Sequence, residues 1–411
     1  MKLPVLAALF IPMLLDCAFA HAQAPEHVRV VSDDEFFDLS SPRQQARIAA
    51  NIEQGLSELR RQGRLPQDST QTSVMDLAWP LQTVGRFDQF GYHGVSNFVD
   101  HGLPYPNPVQ DYACGSRTYN LANGYNHAGT DYYLWPFPWS MMDAGQVQIV
   151  AAAPGVIIAK DDGNFDRDCA LDGTTNPNDV YVMQDDGLYA FYFHMRKGSV
   201  TSAPIGARVA AGDYLGLVGS SGSSTGPHLH FELRDAAGAV VDPRNGQCNA
   251  APDRWIVFQP YEDPHIDTLS MHSAEPEFVG CGVDASGNAV AETPHYENEF
   301  KPGAALWVFV SYRDQRNGEV TQFSIMRPDG SVFAQWDFDL ASQGNPKPFY
   351  SGTGADWKFT LPADAPIGVW TVTALFQGQT YTRSFSVDWG WLPWRIRLPP
   401  EPPRPPRPPR R

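Results

Sequence analysis

Residues 220–234 read SSGSSTGPHLHFELR, and the rest of the chain is best interpreted outward from them. His228 and His230 stand two apart at what reads as the start of a strand, and residues i and i+2 of a strand face the same way. Two imidazoles on one face can serve one site. The preceding run Gly222-Ser-Ser-Thr-Gly-Pro227 makes a tight loop that brings backbone close to that face. An H-x-H pair alone does not define a site, because structural or surface histidines give the same spacing.

Around this stretch lie short apolar runs divided by Gly, Asp and Asn. Val147–Val150, Gly155–Ala159, Val180–Met183, Tyr189–His194 and Tyr214–Val218 read as strands, as does His228–Leu233. They define a β-rich domain over 77–250. With 411 residues the chain is long enough for two folded units plus tails. A second β unit over 275–390 follows a linker at 251–274. It contains runs such as Leu306–Tyr312, Trp357–Leu361, Gly368–Phe376 and Tyr381–Val387, at the turn-bounded spacing of a β-sandwich. The 35 glycines and 36 prolines also favour turns and β structure.

The ends carry different signals. Lys2, the apolar run Leu3–Leu15 and the small residues Ala18, Ala20 and Ala22 form a secretory signal over 1–22, too short to span a membrane. Secretion to the periplasm or the extracellular space is expected. Residues 23–76 form a helical pre-segment. Ser41 and Pro42 start its helix, Ala49, Ile52, Leu56 and Leu59 follow at helical spacing, and Gly63 ends it. The tail 391–411 repeats Pro-Pro-Arg and favours extended polyproline II. The formal charge of −16 argues against nucleic acid as a partner.

Once the signal and Cys17 are removed, Cys114, Cys169, Cys248 and Cys281 remain. An even count in an oxidising compartment predicts two disulfides. Proximity along the chain favours Cys114–Cys169 and Cys248–Cys281.

Two further pieces bear on chemistry. His127-Ala-Gly-Thr-Asp131 places an imidazole and a carboxylate four apart, and both are good zinc ligands. The alternative role for Asp131 is to accept an N–H in a turn. Tyr192-Phe-His194 puts a histidine at the end of an apolar strand, where a hydrogen-bonded core histidine is equally expected.

Together these pieces resemble the M23 family of zinc peptidases, the LytM, lysostaphin and β-lytic group. That pattern is H-x-x-x-D, a strand-end His, and then H-x-H within a G-x-S-G-x-S-T-G-P-H-L-H-F-E segment. GDYLGLVGSSGSSTGPHLHFELRDAAGAVVDP at 212–243 fits almost throughout, as do GVIIA at 155–159 and NDVYVMQDDGLYAFYFHM at 178–195. The resemblance covers about residues 77–245. It implies an antiparallel LytM-like zinc peptidase domain; with the C-terminal, Ig-like β-sandwich expected from strand spacing, the whole protein is expected to be mainly β. His127, Asp131 and His230 would ligate zinc, leaving a fourth position for water. His194 and His228 would flank that water, one as base and one stabilising the oxyanion, in either assignment. Zinc lowers the pKa of its water toward about 7, and an imidazole titrating near 6.5 is matched to move that proton. No H-E-x-x-H is present, so a helix-borne glutamate mechanism has no support.

Two insertions depart from the pattern. Tyr132–Trp139 is an aromatic run that suits either subsite walls or packing. Asp161–Asp172 is an acidic loop without EF-hand spacing, expected to be pinned by a disulfide. Three readings follow. The first is an endopeptidase of peptidoglycan peptides. The second is a secreted protease of proteins. The third is a non-catalytic LytM-like wall-binding or activator protein, against which every ligand position and both flanking histidines are in place.

Overall fold

Residues 23–32, 41–64 and 75–390 are described in the computed structural model of this protein. The expected signal at 1–22 and the Pro/Arg tail at 391–411 lie outside the described residues. The molecule is mainly β. The first elements are β1 (His27–Ser32), α1 (Pro42–Arg61), β2 (Leu81–Thr83), β3 (His93–Val95), β4 (Gly129–Leu134) and the short α2 (Pro138–Asp143). There follow β5 (Val147–Val150), β6 (Gly155–Asp161), β7 (Asp179–Gln184), β8 (Tyr189–Tyr192), β9 (Arg208–Val209), β10 (Tyr214–Leu217) and β11 (His228–Arg234).

Seven strands pair antiparallel in the order β3-β4-β11-β8-β7-β6-β9, and β10-β5-β2 form a smaller sheet. Alternation along β11 decides which face is which. Leu229, Phe231 and Leu233 turn into a core with Val180, Val182, Ala190, Tyr192 and Leu215. His228, His230 and Glu232 therefore occupy the opposite face. On that same face Val156, Ile158, Tyr181, Phe191 and Phe193 form a second apolar cluster, and Leu56 and Leu59 of α1 cover it.

The sequence sets the start and the seating of α1. Ser41 caps the helix: its side chain accepts the Gln44 amide, and the Gln44 side chain accepts the Ser41 N–H in return. Gly55 faces the sheet. A Cβ there would stand 1.7 Å from the Ile158 carbonyl oxygen, so only glycine allows the helix to lie this close. Arg47 pairs with Asp161, and Gln44 Nε2 donates to the Thr175 carbonyl at 2.7 Å.

The remaining strands are β12 (His265–His272), β13 (Glu299–Phe300), β14 (Ala305–Arg316), β15 (Thr321–Met326), β16 (Val332–Phe338), β17 (Phe349–Thr360), β18 (Gly368–Phe376) and β19 (Gln379–Val387). They build two sheets, β1-β17-β14-β12 and β13-β19-β18-β15-β16. Both contribute to one apolar core that includes Leu269, Val308, Phe323, Trp357, Trp370 and Phe385. Two pieces of chain serve this unit from outside the expected 275–390. β12 falls within the expected linker, and β1, from the pre-segment, pairs with β17 from His27↔Lys358 to Ser32↔Thr353.

The aromatic insertion packs inside the protein. Tyr132, Leu134 and Trp139 enter the core of the first unit. Phe137 meets Phe278 and Phe309 of the second at 5.2 and 5.4 Å between ring centres. Arg117 crosses the same junction to Asp314 at 2.9 Å.

The disulfides differ from the expected pairs. Cys114 bonds Cys248 and Cys169 bonds Cys281, with Cα–Cα distances of 5.2 and 5.5 Å. Nearness along the chain misled because β4 and β11 are ladder neighbours. The segment before β4 and the segment after β11 meet at one end of the sheet, where the Cys248 amide donates to the Tyr112 carbonyl. The acidic loop is pinned as expected, but to the segment following β12.

Candidate metal centre

Register creates the site. On the β4–β11 ladder His230 stands directly opposite Asp131. His127 lies just before β4, and Gly129 between them leaves room for the His230 ring. A Cβ at Gly129 would fall 2.6 Å from His230 Nε2. His127 Nε2 lies 3.0 Å from Asp131 Oδ2 and 3.2 Å from His230 Nδ1, and His230 Nδ1 lies 3.0 Å from Asp131 Oδ1. All three residues are buried.

Hydrogen bonds to the far sides of these rings set their tautomers. His127 Nδ1 meets the Phe98 carbonyl at 2.7 Å, and a carbonyl only accepts, so Nδ1 carries the proton and Nε2 a lone pair. His230 Nε2 meets Glu232 Oε2 at 3.3 Å, which leaves the lone pair of that ring on Nδ1. Asp131 brings carboxylate oxygens. Three acceptor groups thus converge at 3.0–3.2 Å. Ligands held about 2.0–2.2 Å from a tetrahedral zinc stand roughly 3.3–3.6 Å apart, a few tenths of an ångström beyond the spacing here. The donor set and its spacing fit such an ion. Further support comes from Asn97, which donates to Asp131 Oδ2 at 3.1 Å, and from Tyr119, stacked on His127 with ring centres 4.7 Å apart.

His194 and His228 lie beside this group, with ring centres 4.5 Å apart. His194 has φ 64°, so the chain leaves the β8 ladder there in the left-handed region. Both rings are oriented alike. His194 Nδ1 donates to the Ser221 carbonyl at 2.6 Å, and His228 Nδ1 donates to the Gly226 carbonyl at 2.8 Å. Nε2 is the basic nitrogen of each, and that of His228 lies 3.9 Å from Asp131 Oδ1. The Gly-Ser loop of 220–226 is thus the frame for both imidazoles. Nearby, the carboxyl of Asp168 on the acidic loop is pushed up to about 6, mainly by burial, against the pull of its Thr175 hydrogen bond.

The structure therefore gathers all five singled-out residues in one place. Sequence reasoning did not name Glu232, Asn97 or the Phe98 carbonyl. Glu232 had a signal, since it lies on the His230 face two residues on. Asn97 and Phe98 had none, because only the fold carries that segment to β4.

Residues 139–243 match the family model of Peptidase family M23, so the resemblance to that family holds for this part of the chain. His127 and Asp131 precede the matched segment. The chain is similar to glycyl-glycine endopeptidase ALE-1 of Staphylococcus capitis, with 32% identity over 111 residues, 27% of this chain and 25% of the relative. It is also similar to DD-carboxypeptidase/endopeptidase Mpg of Neisseria meningitidis serogroup B, 38% identical over 66 residues, 16% of this chain and 14% of the relative. The chain therefore spans a quarter or less of the length of these relatives. Among solved structures, the catalytic domain of a mutant of the prophage-encoded M23 protein EnpA from Enterococcus faecalis is 31% identical. That alignment covers 38% of this chain and 95% of the other, with TM-score 0.22.

Proposed function

We propose that this protein is a secreted zinc endopeptidase that hydrolyses peptide bonds in bacterial peptidoglycan peptides or cross-bridges. The observation carrying the proposal is the convergence of three acceptor groups, from His127, Asp131 and His230, beside two imidazoles held in one tautomer. The relatives' names support the substrate class. The alanine-spaced leader and the two disulfides support secretion, and no helix among the described residues is long and apolar enough to cross a membrane. Two sheets over one core support an Ig-like sandwich for the C-terminal unit.

In this mechanism His127 Nε2, Asp131 and His230 Nδ1 would hold the ion, and Glu232 and the Phe98 carbonyl orient the two rings. Zinc, when bound, supplies Lewis-acid polarisation and acidifies water. His194 and His228 then act at Nε2, one taking the proton from water and the other stabilising the oxyanion. Their carbonyl anchors keep both rings in position through the step. Burial of the whole group excludes bulk water and strengthens each of these contacts.

The test is metal analysis of the purified protein together with muropeptide digestion before and after chelation. His127→Ala, Asp131→Ala and His230→Ala should lose zinc. His194→Ala and His228→Ala should keep stoichiometric zinc and lose at least about 100-fold in turnover. Cleavage indifferent to chelator sinks the enzyme reading, and zinc lost from His194→Ala but kept by Asp131→Ala sinks the ligand assignment. The second reading, a protease of proteins, gains support from the apolar cleft beside the site.

A further inference from the structure

A cleft of about 310 Å³ runs between α1 and the sheet and includes His194 and His230 in its lining. On one side stand Ile48 and Ile52 of α1, and on the other Tyr125, Phe191 and Phe193. Ile48 and Ile52 are only half-buried, and they pack against the cluster that contains Phe191 and Phe193. The wall is firmly fixed. The cap at Ser41, the close seating of Gly55 on Ile158 and the Arg47–Asp161 pair all hold α1 in place. The helix also steadies the rim, since Ser41 packs against Gly173, whose amide donates to Ser223 Oγ in the Gly-Ser loop at 2.7 Å.

We propose that α1 is a specificity wall, and that the cleft it forms takes a bulky apolar side chain, aromatic or branched, from the residue flanking the scissile bond. This rests on the second peptidase reading, cleavage of proteins, because peptidoglycan peptides place no leucine or phenylalanine beside their bonds, and it names the side chain which that reading requires. A glycine at that position leaves the cleft unfilled, while a leucine or phenylalanine transfers its side chain from water onto apolar walls. α1 precedes both the segment that matches the M23 model and the ligands His127 and Asp131, so the helix adds selection to chemistry carried by residues 127–230. The helix face that selects is Ile48 and Ile52, one turn apart.

The experiment compares kcat/KM of the zinc-loaded full chain on peptides carrying Gly, Ala, Lys, Leu or Phe on either side of the cleaved bond. Leu or Phe at one of the two positions should exceed Gly by at least about tenfold. Ile52→Trp, which fills the cleft, should lower that ratio at least about fivefold. Ile48→Ala, which widens it, should raise Phe relative to Leu. Circular dichroism checks that both variants fold. In parallel, calorimetry on the chelated protein compares Ala-Phe-Ala with Ala-Gly-Ala. Binding of the Phe peptide that Ile52→Trp weakens upholds the cleft even when no peptide is cleaved, in which case the peptidase reading fails alone. Equal cleavage of Gly and Phe peptides, unmoved by Ile52→Trp, overturns the specificity wall. So does preferential cleavage of Lys peptides, which moves selection to the carboxylates in the lining, Glu53, Glu232 and Asp235.

Discussion

Asp179 lies on β7 on the face that α1 covers, and burial pushes its carboxyl up to about 7, against the pull of the Tyr181 hydroxyl and the more distant Arg47. Its Oδ1 has no hydrogen-bond partner among the described residues. An unfolded aspartate ionises near about 3.9. Between that pH and about 7 the folded state holds a proton that the unfolded chain has released. The stabilising contribution is therefore complete below pH ~4 and lost as pH rises through the folded value. Denaturation of the zinc-free protein across pH 4 to 8 should show Asp179→Asn losing less stability than the wild type. A flat difference between the two curves would refute the burial argument. Glu232 belongs to the same scale. Glu232→Ala should weaken zinc about 10–100-fold in competition with a chelator, since it orients His230 without being placed to ligate. Much of the site was legible from spacing, because H-x-H and H-x-x-x-D sit on strands that the ladder makes neighbours. Its supporting contacts were not legible. They come from Asn97 and from the backbone at residue 98, and backbone carbonyls leave no mark in side-chain patterns.

α1 tests whether docking or propensity governs an element. In a free helix, replacing glycine with alanine gains about 0.5–1 kcal/mol. At Gly55 the added methyl meets the Ile158 carbonyl, and overpacking of this kind costs about 1–3 kcal/mol. The steric term wins, so Gly55→Ala should lower the unfolding midpoint in urea. The helix itself was readable from its cap and its apolar spacing. Its position on the metal face was not, because an amphipathic stripe states that a face is buried and not what buries it. β17 shows the opposite limit. Only Trp357–Leu361 read as a strand, while the structure continues it back to Phe349. Ser351-Gly-Thr-Gly354 has the composition of a turn, and pairing with β14 on one side and β1 on the other overrides it.

Across the whole molecule the disulfides tie distant segments, closing separations of 134 and 112 residues. In the chain-entropy picture each contributes about 4–5 kcal/mol by restricting the unfolded chain. Melting the Cys114→Ser/Cys248→Ser and Cys169→Ser/Cys281→Ser variants against wild type should reveal a large loss for each. The second pair should also disturb the site, because Asp168 and Ser220 exchange backbone and hydroxyl contacts beside Cys169. The mainly β character was legible from short runs and turn residues. The pairing was not, since neighbours in space are fixed by ladder order, which no local pattern encodes.

The strand β1 gives the N-terminal segment a second attachment, to a sheet of the C-terminal unit. Eight residues further on, after position 40, the same segment begins the helix that walls the cleft. The protein is therefore stapled rather than modular, and a gene fragment trimmed to residues 77–390 would not yield a clean cassette. It would strip six paired residues from β17 and bare a flat run of backbone amides and carbonyls, the kind of edge along which chains stick to one another. It would also uncover the apolar face of β6 to β8 that Leu56 and Leu59 shield. For anyone trimming this scaffold, β1 and α1 are part of the product.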